Sequence, residues 1–236
     1  MVIKSFKYAI DNYIRQVPNL KVHCERCLNS KRWDGSIVLM VVDASFTSIG
    51  LNYFSGIIPK VEEFEKVFVK TDKITSLNEI VSTELNELRK IWKNKRSWHV
   101  GKSVSIYFSS LMEEYSLSDR EALRFWAKNT KLNNWKEDPI GKISGVGINT
   151  YQYLRMMGGI DTLMPDKIIK KTFLEILDDD NLKNKFTDDM EFIEFIHDLA
   201  ENTGYRPIEL CWATWLNESD KELTKTGKYD EVIKRI

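Results

Sequence analysis

Apolar residues recur at three- and four-residue spacing through most of this chain, and nowhere does that rhythm give way to strand–helix–strand alternation. Segments 3–16, 62–69, 76–92, 102–115, 118–129, 149–157, 166–177, 188–201 and 206–216 all carry it. Such a pattern satisfies its own backbone hydrogen bonds within each segment and buries one stripe against a neighbour, so the spacing predicts a mostly α fold. The run SIVLMVVDASF (36–46) has the composition of either a strand or a buried helix. No strand pattern follows it, so it is expected to be a buried helix. Ser116 and Ser118 are candidate caps, and Glu121 lies three residues after Ser118 in a capping-box pattern. Residues 17–35, with Pro18, two close cysteines and a WDG turn, read as a loop or short hairpin. No internal repeat, low-complexity tract or linker divides the chain.

Charge by itself names no partner, because 35 basic residues balance 35 acidic ones over 236 positions. The beginning, MVIKSFKYAIDNY, is amphipathic and lacks the apolar core of a signal peptide. The uncharged stretch from Ala44 to Pro59 is too short and too polar to span a bilayer. A cytoplasmic or nuclear protein that does not enter membranes is therefore expected. Cys24, Cys27 and Cys211 are too few, and odd in number, for a disulfide framework. HCERC (23–27) has the spacing of half a zinc site, but nothing in the chain completes it, so ordinary thiols are expected.

Charge is unevenly distributed along the chain. From Arg89 to Met112 there are six basic residues (Arg89, Lys90, Lys93, Lys95, Arg96, Lys102) and no acid, interleaved with Trp92, Trp98 and His99. Cations can neutralise phosphates and aromatic faces can stack on bases, as a nucleic-acid surface requires. The ordinary reading is a solvated helix face whose acidic partners lie elsewhere, with the tryptophans in the core.

The most chemical stretch is DPIGKISGVGINTYQYLRMMGGIDTLMPDKIIKK (138–171). Glycines at 145 and 147 allow a tight turn and the close approach of another molecule. A helix starting near Asn149 then points its first amides at whatever lies over that turn, which suits a phosphate. The spacing is neither a Walker A loop nor a dinucleotide fingerprint. A plain helix–helix turn would use the same residues. Asp166, just after Pro165, suits a helix N-cap.

This order of hairpin, helix, glycine stop and aspartate resembles the helix-hairpin-helix DNA glycosylase superfamily. ISGVGINTY occupies the position of that family's hairpin, and Asp166 follows at about the family spacing. VLMVVDASFTSIGLNYF (38–54) is similar to an early buried helix and lesion-facing turn, LNELRKIWKNKRSWHVGKSVSIY (85–107) to the segment approaching the hairpin lobe, and IELCWATWL (208–216) to the returning C-terminal helix.

The resemblance implies two helical lobes with a DNA-binding cleft between them. One would comprise 1–36 plus about 172–236, and the other about 37–171 with the helix-hairpin-helix (140–157) and the catalytic aspartate. It implies a monomer acting on double-stranded DNA with a damaged or mismatched base, flipping that base and hydrolysing its glycosidic bond. Asp166 would be the catalytic carboxylate. Gly145, Gly147, Ile148, Asn149, Thr150, Lys142, Arg96, Lys102 and Lys171 would contact DNA, and Ser45 would stand where a gap-filling residue often lies. Backbone carbonyls of Gly141, Ile143 and Val146 would hold a monovalent cation. No cofactor is required, and with only Cys211 near the C-terminus an iron–sulfur cluster is not expected.

Bifunctional members carry a lysine where this chain has Asn149, so water is the expected nucleophile. Trp33, Trp92, Trp98, Trp126, Trp135, Trp212, Trp215, Phe46 and Tyr53 are the candidates for a base-stacking pocket. Aromatic faces alone would suit a cationic alkylated purine, whereas an oxidised purine or uracil needs matched polar groups. The alternatives are a non-catalytic helix-hairpin-helix DNA-binding protein, a glycosylase with lyase activity through a displaced lysine such as Lys142, and a helical scaffold.

Overall fold

The computed structural model describes residues 2–177, 186, 188–219 and 228–236, and these form helices and turns without a strand. In chain order the helices are α1 (Val2–Arg15), α2 (Leu20–Leu28), α3 (Ile37–Thr47), α4 (Ile58–Phe64), α5 (Leu77–Ser82), α6 (Leu85–Leu88) and α7 (Lys95–Tyr115). They are followed by α8 (Asp119–Asn129), α9 (Ile148–Met157), α10 (Lys167–Leu177), α11 (Asp189–Thr203), α12 (Pro207–Glu218) and α13 (Asp230–Ile233). The predicted mostly α architecture is observed. Among the described residues no helix is long and apolar enough to cross a membrane.

The uncharged run at 36–46 is a helix buried on every side. Ser36 caps α3, its Oγ accepting from the Leu39 amide at 3.3 Å, and each residue from Ile37 to Phe46 is buried. A helix apolar all round belongs in the middle of a fold. Here α4, α5, α7 and α9 cover it. Val38, Val41 and Val42 favour strands locally. With no strand alongside to receive hydrogen bonds, only the helix satisfies their buried backbone groups.

Helices α5 and α8 pack with α7 and α9 around this centre, while α1, α2, α10, α11 and α12 contact one another. Helix α2 meets α9, linking the two sets.

Three local expectations are corrected. Residues 17–35 are not a loop or hairpin, because α2 occupies 20–28. Leu20, Cys24, Cys27 and Leu28 all point inward, so the CxxC spacing is one helical turn of core thiols. The stripe at 76–92 is not one helix. Thr83 is extended (ψ 132°), and Lys102 donates to the carbonyls of Val81 (2.9 Å) and Thr83 (2.6 Å), satisfying the end of α5. Finally, α7 begins at Lys95 rather than near 102, because the Asn94 side chain accepts from the Ser97 amide at 3.0 Å. Ser118 and Glu121 do form the capping box, whereas Ser116 ends α7 in the left-handed region (φ 54°).

Candidate functional site

One cavity of about 420 Å³ gathers residues from five separate stretches. Thr47 and the 50–53 turn come from the end of α3, Asn149 and Thr150 from the start of α9, and Asp166 and Lys167 from the start of α10. Trp212 and Trp215 come from α12, and Arg32 and Tyr153 complete the wall. A concave site of this size with a few convergent polar groups is the usual form of a small-molecule pocket.

Asp166 caps α10, its Oδ1 accepting from the Ile169 amide at 2.8 Å. Burial pushes its carboxyl up to about 6, outweighing hydrogen bonds from the Ile169 and Ile168 amides that favour the charged form. The helix cap and the candidate catalytic carboxylate are thus the same residue, but its raised pKa runs against the ionised form that a carboxylate at a helix start ordinarily keeps, because burial outweighs the cap. A carboxyl poised near neutrality inside a cavity is the arrangement that proton transfer or charge stabilisation requires.

The start of α9 follows a turn with two glycines of different character. Gly145 has φ +101°, and a Cβ there would lie 2.9 Å from Val100 Cγ2 and 3.1 Å from Arg96 Nε, so the turn is folded onto α7. Gly147 has an ordinary φ of −104°, and a Cβ there would meet nothing within 4 Å. Gly147 brings no capping side chain, so the first amides of α9 are left without a side-chain partner. Ile148 turns its side chain into the core and Thr150 is buried at the cavity wall, while Asn149 is exposed at the cavity.

Arg96 is exposed beside Gly145. Lys142 is exposed, pairs with Glu137 at 3.3 Å, and does not line the cavity. Lys171 faces solvent and lies 3.7 Å from Glu175, one turn further along α10. Of the proposed cation carbonyls, that of Ile143 already accepts from the Val146 amide at 2.9 Å. Gly141 is glycine for a packing reason, since a Cβ there would sit 1.7 Å from the Trp135 carbonyl oxygen.

Two expected contacts are displaced by packing. Ser45 is 1% exposed, and its Oγ donates to the Val41 carbonyl at 2.6 Å. It lies against Gly101, where α3 and α7 come so close that a Cβ on the glycine would sit 3.1 Å from it. The exposed apolar residue at the cavity from this stretch is Leu51, 53% exposed. Lys102 is likewise engaged at the end of α5 and is a structural cation.

Of the candidate pocket aromatics, Trp212, Trp215 and Tyr53 line the cavity. In the core Phe46 stacks on Trp92 and meets Trp98 edge-on. The tryptophans of the basic stretch therefore do not form a stacking surface.

What sequence reasoning missed is a buried polar cluster behind the cavity. Asp43 Oδ2 accepts from Trp33 Nε1 (2.8 Å), Tyr53 Oη (2.8 Å) and Tyr153 Oη (2.7 Å), and lies 3.4 Å from Arg32 Nη2. Arg32 Nη2 also donates to Tyr53 Oη at 2.8 Å. Burial opposes the Arg32 charge, but Tyr153, Tyr53 and Asp43 outweigh it and raise its pKa. The turn that aims Arg32 inward is strained, with Trp33 (φ 50°) and Asp34 (φ 56°) both in the left-handed region. Such residues cost about 1–3 kcal/mol each and cluster at functional sites. Arg235 holds the turn, its carbonyl accepting from the Trp33 amide at 2.6 Å and its Nε donating to Asp34 at 2.6 Å. The one sequence signal was a charged residue, Asp43, inside an otherwise apolar run.

A second clasp aligns the segment leading to Asp166. Arg206 pairs with Asp161 at 2.6 Å and Glu25 at 2.5 Å, and Asp161 Oδ1 accepts from the Ile208 amide at 3.1 Å. The thiols of Cys24, Cys27 and Cys211 are buried. Burial pushes that of Cys27 up to about 12. Among the described residues no group of three His, Cys, Asp or Glu side chains is placed to hold a metal ion.

Comparison of the chain with protein-family models, with curated proteins and with solved structures finds no match.

Proposed function

We propose that this chain is a helix-hairpin-helix DNA N-glycosylase that draws a base out of the duplex into the cavity and hydrolyses its glycosidic bond. The observation that carries this reading is that Asn149 and Asp166 line one cavity with aromatic walls. The resemblance assigns these two positions to the hairpin helix and the catalytic aspartate. In this reading the two packing sets of helices are the two lobes, and the duplex lies along the opening between them. The 140–147 turn and Arg96 hold phosphates, and Leu51 lies where the duplex would come closest to the rim.

The chemistry follows from the groups present. As the C1′–N bond weakens, positive charge grows on the sugar, and the Asp166 carboxylate stabilises it or orients the attacking water. Asn149 offers an amide where a lyase would need an amine, so no imine forms there. The decisive experiment is base release from duplexes carrying one modified base, with and without alkali. Release with nicking only after alkali is expected; retained duplex binding without any release favours a non-catalytic binding protein.

A second reading, with lyase activity, has one observation in its favour. Lys167 lines the cavity beside Asp166, is exposed, and has no ion-pair partner among the described residues. Borohydride treatment of the wild-type protein on damaged duplex is expected to trap no covalent complex. A trapped complex that disappears in Lys167→Ala would move the assignment to a lyase using that amine.

The phosphate contact has its own test. Because a methyl group at Gly147 meets no protein atom, Gly147→Ala should fold normally and weaken binding to damaged and undamaged duplex alike, by about tenfold. Fluorescence anisotropy at two salt concentrations measures this. Unchanged affinity at both would make the turn purely structural. Gly145→Ala is a poorer probe, since its positive φ alone costs about 1–3 kcal/mol.

A further inference from the structure

We propose that the turn before α7 and the first turn of that helix form a second phosphate-binding surface for duplex DNA, in which Arg89, Lys93 and Lys95 continue the contacts of the 140–147 turn and Arg96 away from the cavity. This deepens the glycosylase reading and rests on it.

The six basic residues between Arg89 and Met112 are not equivalent. Lys90 pairs with Glu87 at 2.6 Å, and Lys102 closes α5. Arg89, Lys93, Lys95 and Arg96 have no ion-pair partner among the described residues, and Lys93, Lys95 and Arg96 are exposed. At about 100° per residue, Lys95, Arg96 and the exposed His99 share about 100° of the circumference of α7. Ser97 and Trp98, on the opposite side, are buried. Arg96 joins this face to the glycine turn, since a Cβ on Gly145 would lie 3.1 Å from its Nε. The basic face is therefore continuous with the turn that leads to Asn149 at the cavity.

The surface is fixed from beneath. Trp98 Nε1 donates to the Trp92 carbonyl at 2.8 Å, Asn94 caps α7, and Arg89 Nε donates to the Lys93 carbonyl at 3.4 Å. The buried tryptophans of this stretch thus anchor a basic turn rather than stack on bases.

The placement of the charges points to an anion. The first turn of α7 carries two cations and no acid, although the positive end of a helix dipole favours acids there. With no acid paired to them, these charges work against the free fold and in favour of an anion outside it. Duplex DNA supplies one such charge per about 1.7 Å of axis, so several cations on a fixed turn are met together, whatever the base sequence.

The test is fluorescence anisotropy of the full chain on undamaged duplex from about 50 to 200 mM salt. Lys93→Ala combined with Lys95→Ala is expected to lose at least about tenfold of affinity at low salt. It should also flatten the slope of log affinity against log salt by about 1.8, the counterions of two phosphates. Lys90→Ala is the control and should change neither. An unaltered slope in the double variant overturns the proposal, as does an equal change in Lys90→Ala, which would mean that net charge alone is read. Wild-type binding that ignores salt also overturns it and leaves the face to an acidic protein or to solvent. If the double variant folds poorly, Lys95→Glu decides: its acid suits the helix dipole, so it should melt no lower than wild type yet bind duplex at least about tenfold more weakly. Base release from duplex with one modified base separates this surface from the glycosylase reading. Release with an unaltered slope would keep the enzyme and remove the surface. A flattened slope without any release would keep the surface and remove the enzyme.

Discussion

Asp166→Asn is expected to abolish base release and, at neutral pH, to make the folded protein more stable. The loss of activity should be at least about a hundredfold, the usual scale for removing a group that stabilises transition-state charge or moves a proton. Asparagine can still accept the Ile169 amide and cap α10, so the helix start survives.

The stability gain follows from the direction of the pKa shift. In an unfolded chain an aspartate titrates near 3.9. In the fold, burial raises Asp166 to about 6. Between these values the native state binds more protons than the unfolded one, so its stability falls as pH rises from about 4 to 6 and stays low above that. Asparagine escapes this penalty. The variant should gain about 1–2 kcal/mol at pH 7.5, discounted because Asp166 keeps some solvent contact, and nothing near pH 4. Urea unfolding at both pH values measures this.

The same titration predicts the rate profile. In the proposed mechanism the ionised carboxylate is the working form, so base release should fall about tenfold per pH unit below an apparent pKa near 6. A profile flat down to pH 4.5, or full release by Asp166→Asn, would remove Asp166 from the chemistry.

Asp43→Ala should be the most damaging single change to the fold. It removes the common acceptor of Trp33, Tyr53 and Tyr153 and leaves the Arg32 charge buried without its carboxylate. Breaking a buried ion pair from one side typically costs about 3–5 kcal/mol, a large part of the ~5–15 kcal/mol that holds most domains together. Replacing both partners, Arg32→Met with Asp43→Leu, should recover only the part of the loss that comes from the unpaired charge, since Trp33, Tyr53 and Tyr153 still lose their common acceptor. A double-mutant cycle in urea would show strong coupling between the two positions. Independent, additive losses would mean that the pair is not a unit.

The sequence by itself determined what is local. Three- and four-residue spacing placed most helices, Ser118 with Glu121 marked the start of α8, and Asp166 was legible as a cap because the cap is made within three residues. The spacing of Asn149 and Asp166 also stood out, since both lie at the starts of helices. Tertiary structure decided everything that depends on which neighbour covers which face. Periodicity says that a residue is turned inward but not what it meets there. Ser45 therefore resembled a lesion contact until Gly101 was found packed against it, and Lys102 a phosphate contact until α5 ended beneath it. Seven tryptophans looked equivalent, yet only Trp212 and Trp215 reach the cavity. The cluster of Arg32, Asp43, Tyr53 and Tyr153 spans more than half the chain and follows no period, and the raised carboxyl of Asp166 comes from desolvation by distant segments. Burial and long-range pairing are properties of the assembled fold, and no short stretch of the chain carries them.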